Sequence, residues 1–319
     1  MKTHHFPFHS KACWLTAWFV FVWAVALSQP TPKTDRKLEA LLRQLCEPFE
    51  GTAGVYVYHL RTGKAAGYHA DTIFPTASIV KVPILVGLFD KIEKGELQYH
   101  QPLVYRDSIR YGGSGLMQFY KNSTNTDLRT LAALMITYSD NTTALWCQAL
   151  AGGGEAINAL LARMGFQYTR VNSRTPGREQ DRERFGWGQT TPREMAWLLT
   201  GIRRGEVISP AASDRMYRLL GNIFYDDYAL SQLPPWVKTA SKQGMVNDSR
   251  SELVMVNAPH GDYVFYVATK NNQDKRWTAD NAAWELARRV SRTLWEYFEP
   301  KETWALPEGY RRYLEGLDY

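Results

Sequence analysis

Phe74-Pro75-Thr76-Ala77-Ser78-Ile79-Val80-Lys81-Val82 places a serine three residues before a lysine, at the start of an apolar run. The pattern predicts a helix from about residue 78 to residue 94, in which residues three apart share one face. The Lys81 amine is therefore expected beside the Ser78 hydroxyl. A lysine whose pKa is lowered by burial or charge can take the proton of a serine and make it a nucleophile. Taken alone, the pair is common in proteins and is more typical of a serine at a helix N-terminus with a surface lysine.

Two further segments carry groups of the same kind. Ser139-Asp140-Asn141 lies about sixty residues after Ser78, and Lys238-Thr239-Ala240 lies about a hundred residues further on. In order and spacing, the three segments resemble the Ser-x-x-Lys, Ser-Asp-Asn and Lys-Thr-Gly trio of penicillin-recognising serine enzymes. The flanking residues 112–116 and 190–192 agree with it. From about residue 35 to about residue 298, the chain resembles class A β-lactamases and related serine hydrolases.

The resemblance implies a role for each side chain of the first two segments. Ser78 would be the nucleophile that forms an acyl-enzyme, and Lys81 would be its base or proton shuttle. Ser139 would pass a proton to the leaving nitrogen, although an N-cap of the next helix is an alternative. Asn141 would contact both substrate and lysine, whereas Asp140 would hold the loop together.

The third segment is implied to bind the substrate. Lys238 and Thr239 would hold its carboxylate and adjust the Ser139 proton relay. The backbone N–H of Ser241 would join that of Ser78 in binding the carbonyl oxygen. Arg250 would be a second carboxylate ligand, with a solvated charge at a strand end as the alternative.

Two departures from the family pattern stand out. Ala240 replaces the usual glycine on a strand along which the substrate must lie. Residues 171–183 lack the Glu-x-x-Leu-Asn motif whose glutamate activates the deacylating water in class A β-lactamases. An ungapped match puts Thr175 in the place of that glutamate. Substitute bases could come from Glu179, Asp181 and Glu183, but a mixed-charge run of this kind is typical of solvent-facing ion pairs.

The order of patterns predicts an α+β fold, class A β-lactamase-like and DD-peptidase-like, with one antiparallel sheet built from both ends and flanked by helices. The domain spans residues 34–300, with a sheet part (34–76 and 207–300) and an inserted helical part (77–206). The remaining predicted helices are 36–46, 126–138, 142–151, 154–164, 191–205, 210–221 and 280–298. The predicted strands are 54–60, 65–69, 236–241, 251–257 and 262–269.

Residues 1–28 are typical of a secretory signal, with two lysines before an apolar run and small residues near its end. An uncleaved anchor is the alternative. A periplasmic or secreted protein without stable membrane insertion is expected, and residues 301–319 form a tail with a possible short helix at 310–314. The two cysteines outside the signal, Cys46 and Cys147, are expected to be buried and unpaired.

Composition narrows the range of partners. The chain has 38 Lys and Arg against 32 Asp and Glu, a net charge of +6, and no long basic run. Such a mild balance gives no reason to expect nucleic acid. No His or Cys set has metal-ligand spacing, so neither a metal nor a cofactor is implied. A monomer acting on a small β-lactam or a peptidoglycan-like substrate is expected.

Three hypotheses of function follow. The first is an exported serine hydrolase of the class A β-lactamase type, acylated at Ser78 by β-lactams or related amides and esters, with slow or atypical deacylation. The second is a penicillin-binding or cell-wall peptide-binding protein that is acylated and hardly turns over. The third, a surface interaction module without chemistry, is disfavoured by the intact serines and lysines.

Overall fold

The computed structural model describes residue 1 and residues 31–304, so the predicted signal segment after Met1 and the possible helix at 310–314 lie outside the described residues. The α-helices of the described part are α1 (Arg36–Cys46), α2 (Lys81–Glu93), α3 (Leu128–Thr137), α4 (Asn141–Leu150), α5 (Gly153–Arg163), α6 (Glu179–Phe185), α7 (Pro192–Arg204), α8 (Pro210–Leu220) and α9 (Ala282–Phe298). Its strands are β1 (Lys33–Thr34), β2 (Thr52–His59), β3 (Lys64–Tyr68), β4 (Phe74–Pro75), β5 (Pro102–Val104), β6 (Asn125–Asp127), β7 (Arg170–Val171), β8 (Gly188–Thr190), β9 (Thr239–Val246), β10 (Ser249–Val256) and β11 (Tyr263–Lys270).

The main sheet has the strand order β1-β3-β2-β11-β10-β9 and is antiparallel except for the β1–β3 pair. Its N-terminal and C-terminal strands meet at the β2–β11 pair, where Val57 lies opposite Phe265. All of the longer helices except α1 and α9 come from the chain between these two groups of strands. The prediction of an α+β fold with a sheet built from both ends and a helical insertion is therefore confirmed.

The sheet separates two hydrophobic cores. Val55 and Val57 of β2 belong to the core under α1 and α9, whereas Tyr56 and Tyr58 belong to the core under the other helices. Successive side chains of a strand point to opposite faces, so both faces of β2 are covered and its residues from Ala53 to His59 are all buried. Helix α1 is fixed at its start by the carboxylate of Asp35, which accepts a hydrogen bond from the Leu38 N–H at 3.2 Å.

Helix α2 is the centre of the helical layer. Its residues from Lys81 to Phe89 are all buried, and it contacts α3, α4, α5 and α8. A helix that is apolar on every side is stable only inside a larger core. The burial of α2 also carries the amine of Lys81 into the interior, at the end of the helix where the candidate site lies.

The predicted α-helices and long strands agree closely with the observed ones, with three exceptions, whereas the short strands β1 and β4 to β8 were not predicted. The predicted helix boundaries fall within three residues of the observed ones, but α2 begins at Lys81 after a 3-10 turn at Ala77–Val80. Helix α6 was not predicted. The predicted strand 236–241 is wrong, since β9 runs from Thr239 to Val246 and Trp236 is 65% exposed.

The error in β9 has a physical cause. Trp236 and Val237 look like strand residues in the sequence, whereas Lys242 and Gln243, just past the end of the predicted strand, are polar. In the structure Ser241, Lys242 and Gln243 are all buried, because β9 pairs along its whole length with β10 and both of its faces are covered. Lys242 reaches Ser139 on the helical side, whereas Ser241 reaches Glu252 on the side of α9. Burial and cross-strand neighbours override the intrinsic preference of such residues.

Cys46 and Cys147 are both buried and free, as predicted. Cys46 lies at the end of α1 and Cys147 lies within α4. Burial raises the pKa of the Cys46 thiol to about 12 and raises that of Cys147 as well. Thiols of this kind act as small apolar side chains.

Gly244 of β9 lies against the turn that contains Ser78. A β-carbon on Gly244 would be 2.3 Å from the carbonyl oxygen of Thr76 and 3.0 Å from the amide nitrogen of Ile79. Both atoms belong to the backbone and cannot rotate away. The close packing of β9 on the Ser78 turn therefore requires glycine at this position.

Replacing that glycine tests the contact. Gly244→Ala is expected to lower the free energy of unfolding by about 1–3 kcal/mol, because the methyl group must displace the backbone of the Ser78 turn. Gly221→Ala is the matched control, since its β-carbon would meet its nearest atoms at 3.5 Å. Urea denaturation of the two variants measures the difference, and equal stabilities would contradict this packing.

Candidate functional site

Ser78 lies in a single 3-10 turn, Ala77–Val80, that leads directly into α2. Ala77, the residue before it, has a φ angle of 43°. Residues with a side chain rarely adopt this left-handed conformation, and it persists only where the surroundings hold it. The Ile79 N–H donates to the Thr76 carbonyl at 2.9 Å and helps to hold the turn. The result is a partly exposed serine at the end of a buried helix.

The amine of Lys81 is the centre of the site. Its Nζ lies 2.9 Å from Ser78 Oγ, 3.0 Å from Ser139 Oγ and 2.9 Å from Asn141 Oδ1, and the main-chain carbonyl of Ser139 is a fourth oxygen in contact. An ammonium group has three N–H donors. A neutral amine has two N–H donors and one lone pair, so in that form the Ser78 hydroxyl can donate to Lys81 Nζ. The contact expected from the i, i+3 spacing is present.

The Ser139-Asp140-Asn141 loop joins α3 to α4. Ser139 adopts a φ of 53°, which turns both its hydroxyl and its carbonyl toward Lys81. Asp140 is buried and caps α4, accepting from the Thr143 N–H at 2.8 Å and from the Met117 N–H at 2.6 Å. This geometry agrees with the structural part predicted for Asp140. Asn141 donates to the Gly112 carbonyl at 3.1 Å, which connects the loop to the 112–116 segment.

The lysine that reaches Ser139 from the sheet is Lys242, and the prediction of Lys238 at this position is wrong. Lys242 is fully buried, and its Nζ donates to Ser139 Oγ at 3.0 Å and to the Gln243 carbonyl at 2.8 Å. Lys238 is exposed and precedes the first residue of β9. The third segment is therefore Lys242-Gln243-Gly244. Its glycine was the sequence signal that could have identified it.

Moving the third segment by four residues, from Lys238 to Lys242, also corrects the predictions made for Thr239 and Ser241. Thr239 lies at the start of β9 opposite Val256, away from the cluster around Lys242. Ser241 is buried and its hydroxyl donates to Glu252 at 3.3 Å. The position three residues after the lysine is now Met245, next to the glycine that packs on the Ser78 turn.

Arg250 does not face the site as a free cation, contrary to its predicted part in carboxylate binding. It is 2% exposed, and its guanidinium lies 4.5 Å from the ring centre of Trp277 and 5.2 Å from that of Trp284. It donates to the backbone carbonyls of Ser249 and Arg276. Arg250 is therefore neither a carboxylate ligand nor a solvated charge at a strand end, because the two tryptophans cover its guanidinium on the side of α9.

Burial sets the electrostatics of the two lysines. It lowers the pKa of Lys81 well below the usual value; the charge of Lys242 lowers it further and that of Asp140 opposes the change. Burial likewise lowers the pKa of Lys242 to about 7, against the charge of Glu252. A lysine with a lowered pKa can be neutral and act as a base near neutral pH. Among the described residues, no group of three or more His, Cys, Asp or Glu is placed to hold a metal ion.

Within the described loop between β7 and β8, no carboxylate lies against the Lys81 amine. Thr175 is buried, and its hydroxyl donates to the Ser173 carbonyl at 3.0 Å. Asp181 forms an ion pair with Arg178 at 3.0 Å, and Glu179 and Glu183 are exposed on α6. The side chain from this loop that does lie near the Lys81 amine is Trp187, at 5.9 Å from Nζ to the ring centre.

Comparison with known proteins agrees with this geometry. Residues 34–298 match the model of the beta-lactamase enzyme family. The chain is 27% identical to beta-lactamase SME-1 of Serratia marcescens over 75% of this chain and 84% of that protein. It is 26% identical to a beta-lactamase of Streptomyces fradiae over 69% of this chain and 74% of that protein. The structure of PBP-A is 27% identical with a TM-score of 0.75, over 85% of this chain and 100% of that one. A PBP-A mutant solved as an acyl-enzyme complex with penicillin G has a TM-score of 0.76 and 28% identity, over 85% and 100%.

The two candidate lysines of the third segment can be distinguished directly. Lys242→Ala is expected to slow the acylation of Ser78 by a fluorescent penicillin about 10- to 100-fold, the scale of a lost hydrogen bond to a charged group. Lys238→Ala is the matched control and should stay within twofold of the native rate, since Lys238 is exposed. Labelling reactions quenched after set times measure both rates. A larger loss in Lys238→Ala would restore the original assignment.

Proposed function

The chain belongs to the beta-lactamase enzyme family, and we propose that it is a serine hydrolase acylated at Ser78 by β-lactams or by related amides and esters. The proposal is carried by one observation. A continuous set of hydrogen bonds runs from Ser78 through Lys81 to Ser139 and on to Lys242. It joins a nucleophile, a base and a proton donor within contact distance of one another.

Acylation uses Ser78, Lys81 and Ser139 of this set. Neutral Lys81 accepts the Ser78 proton while Oγ forms a bond to the carbonyl carbon of the substrate. The carbon–nitrogen bond then breaks, and the Ser139 hydroxyl gives its proton to the leaving nitrogen. Ser139 regains a proton from the protonated Lys81, which lies 3.0 Å from its hydroxyl. No proton is gained or lost by the enzyme over the step.

Binding of the carbonyl oxygen and of the substrate carboxylate follows from the corrected register. The backbone N–H groups of Ser78 and Met245 would hold the oxygen as it becomes negative, the latter in place of the predicted Ser241. Lys242, when protonated, would attract the carboxylate, and Asn141 would contact the substrate beside Lys81. These assignments rest on position and on the resemblance.

Deacylation is proposed to be slow. Hydrolysis of an acyl-enzyme needs a base that activates water, and such help is typically worth about a hundred- to ten-thousand-fold. Thr175 has no carboxylate, and the acidic residues of α6 are exposed or paired. A low rate of turnover on penicillins follows from this arrangement.

The alternative is a penicillin-binding or cell-wall peptide-binding protein that is acylated and not turned over. The similarity to PBP-A favours it, because a mutant of that protein was solved as an acyl-enzyme complex with penicillin G. The lifetime of the adduct separates the two functions. A transient adduct indicates a hydrolase, and one that persists for hours indicates a binder.

Export to the periplasm or the exterior is proposed from residues 1–28, whose composition is that of a secretory signal. Within residues 31–304, none of the helices has both the length and the apolar character needed to cross a bilayer. A monomeric protein with a small-molecule substrate is the proposed form.

Native protein mixed with a chromogenic penicillin should release a burst of one product equivalent and then turn over slowly. Ser78→Ala should abolish the burst and shift the thermal transition by only a few degrees, because a cleft-facing hydroxyl contributes little to packing. Ser108→Ala, on an exposed turn, is the control and should keep the burst. Intact-protein mass spectrometry identifies the adduct. An adduct that survives in Ser78→Ala would remove Ser78 as the nucleophile.

The charge of Lys242 should give anionic and neutral substrates different pH profiles. Neutral Lys81 becomes more abundant as pH rises, so acylation by a neutral ester should increase and then level off. Protonated Lys242 becomes scarcer above its pKa of about 7, so the rate for a carboxylate-bearing substrate relative to the neutral one should fall above that pH. Labelling rates from pH 5 to pH 9 measure this ratio. In Lys242→Gln the ratio should not change with pH, and a native ratio that is equally flat would contradict carboxylate binding by this lysine.

A further inference from the structure

Trp187 and Tyr111 cover the Lys81 side of the site. We propose that Trp187, supported by Tyr111, closes this side to water and thereby sets the lifetime of the acyl-enzyme; the inference rests on the function proposed above. Trp187 is then a positioning residue that excludes water. The substrates it favours are those that acylate Ser78 and whose acyl group is released from Ser78 slowly.

The distances place the indole over the base of the reaction. The ring centre of Trp187 is 5.9 Å from Lys81 Nζ, which in turn is 2.9 Å from Ser78 Oγ. Lys81 is fully buried although its amine reaches a partly exposed serine. An amine in that position stays dry only if a side chain covers it, and the indole lies where such a cover is needed.

The backbone on either side of Trp187 is held firmly. Its carbonyl accepts hydrogen bonds from the Asn172 N–H at 2.8 Å and the Ser173 N–H at 3.0 Å. The next residue, Gly188, accepts from the Thr76 N–H at 2.9 Å. A β-carbon on Gly188 would lie 2.7 Å from a methyl group of Val80, so β8 packs directly on the Ser78 turn. The position of the indole relative to Lys81 is therefore set by the fold.

Tyr111 forms the outer part of the same cover. Its ring meets that of Trp187 edge to face, with centres 5.3 Å apart and planes at 72°. Its backbone is tied to α4 by a pair of hydrogen bonds with the Thr142 hydroxyl, at 3.0 and 2.9 Å. The side chain itself is 39% exposed. A change at Tyr111 can therefore loosen the cover with little effect on the core.

The chemistry of deacylation gives this cover its effect. Water must bond to the ester carbon as the bond from that carbon to Ser78 Oγ breaks, and the proton lost by water must reach Oγ. A base near Lys81, or Lys81 itself, would have to carry that proton. The indole nitrogen only donates hydrogen bonds and cannot act as a base. Trp187 therefore occupies the approach to the amine without offering a group that activates water.

The test follows the decay of the adduct after pulse labelling with a fluorescent penicillin and a chase with unlabelled penicillin. Intact-protein mass spectrometry measures the rate in the native protein, Trp187→Ala, Trp187→Phe and Tyr111→Ala. Trp187→Ala should decay at least about tenfold faster, within the range that access to a general base provides. Trp187→Phe, which keeps an aromatic cover, should remain within about threefold of the native rate, and Tyr111→Ala should lie between the two.

Each outcome has a distinct meaning. A native protein that forms no adduct removes the proposed function and this inference with it. A native adduct that is lost within seconds overturns slow deacylation and this inference, but leaves acylation at Ser78 standing. A stable native adduct whose decay is unchanged in both alanine variants overturns the inference and leaves the proposed function standing. If Trp187→Ala does not fold, the decay rate of Tyr111→Ala decides alone: faster decay supports the cover and an unchanged rate rejects it.

A second readout separates a water cover from general loosening of the fold. Removing the indole should hydrate Lys81, while the charged groups that face its amine, Lys242 and Asp140, are unaltered. Hydration favours the protonated amine, so the pH midpoint of acylation by a neutral ester should move upward in Trp187→Ala and hardly at all in Trp187→Phe. An unmoved midpoint in Trp187→Ala would mean that the indole does not cover the amine.

Discussion

The hydrogen bonding of one buried amine organises this molecule. Lys81 contacts oxygen atoms of three residues, Ser78, Ser139 and Asn141, which come from segments some sixty residues apart in the chain. A buried amine without such partners would cost several kcal/mol, so the Ser78 turn and the Ser139-Asp140-Asn141 loop must meet for α2 to be buried. The same contacts create the chemistry, because they leave the amine dry, its pKa lowered, and the serine hydroxyl within its reach.

The second constraint is the close approach of the sheet edge to the Ser78 turn. Without a side chain at Gly244, β9 reaches the backbone of Thr76 and Ile79, and this brings Lys242 to the Ser139 hydroxyl. The N-terminal and C-terminal parts of the chain thus each supply one wall of the site. The fold positions Ser78 by packing on the helical side and Lys242 by strand pairing on the other side.

The third feature is an asymmetry between forming and breaking an acyl-enzyme. The groups that attack a carbonyl are assembled and hydrogen bonded, whereas the loop from β7 to β8 sends its acidic side chains outward and an indole inward. Its hydrogen bonds explain this: Arg178 pairs with Asp181 and also donates to Asn172 and Gln189, which fixes the loop with its charges at the surface. The proposed acyl transfer and the proposed slow release thus rest on the same local arrangement of side chains.

The sequence by itself determined what depends on local spacing and on the order of segments. The i, i+3 relation of Ser78 and Lys81 and the Ser139-Asp140-Asn141 loop could be predicted, because short motifs are local properties. Helical periodicity is local as well, so every α-helix of the described part except α6 could be predicted, together with the origin of the sheet from both ends. The sequence also showed directly that Thr175 stands where an ungapped match to class A β-lactamases would place their glutamate.

Tertiary structure alone decided the register of β9 and the cover of Lys81. Lys238 and Lys242 are both lysines near a strand, and only pairing with β10 and the close approach at Gly244 select the second. Arg250 looks like a free cation until two tryptophans, Trp277 and Trp284, enclose it. These features depend on contacts between residues that are distant in the chain. The register of one strand pair fixes the face that every side chain along the strand occupies.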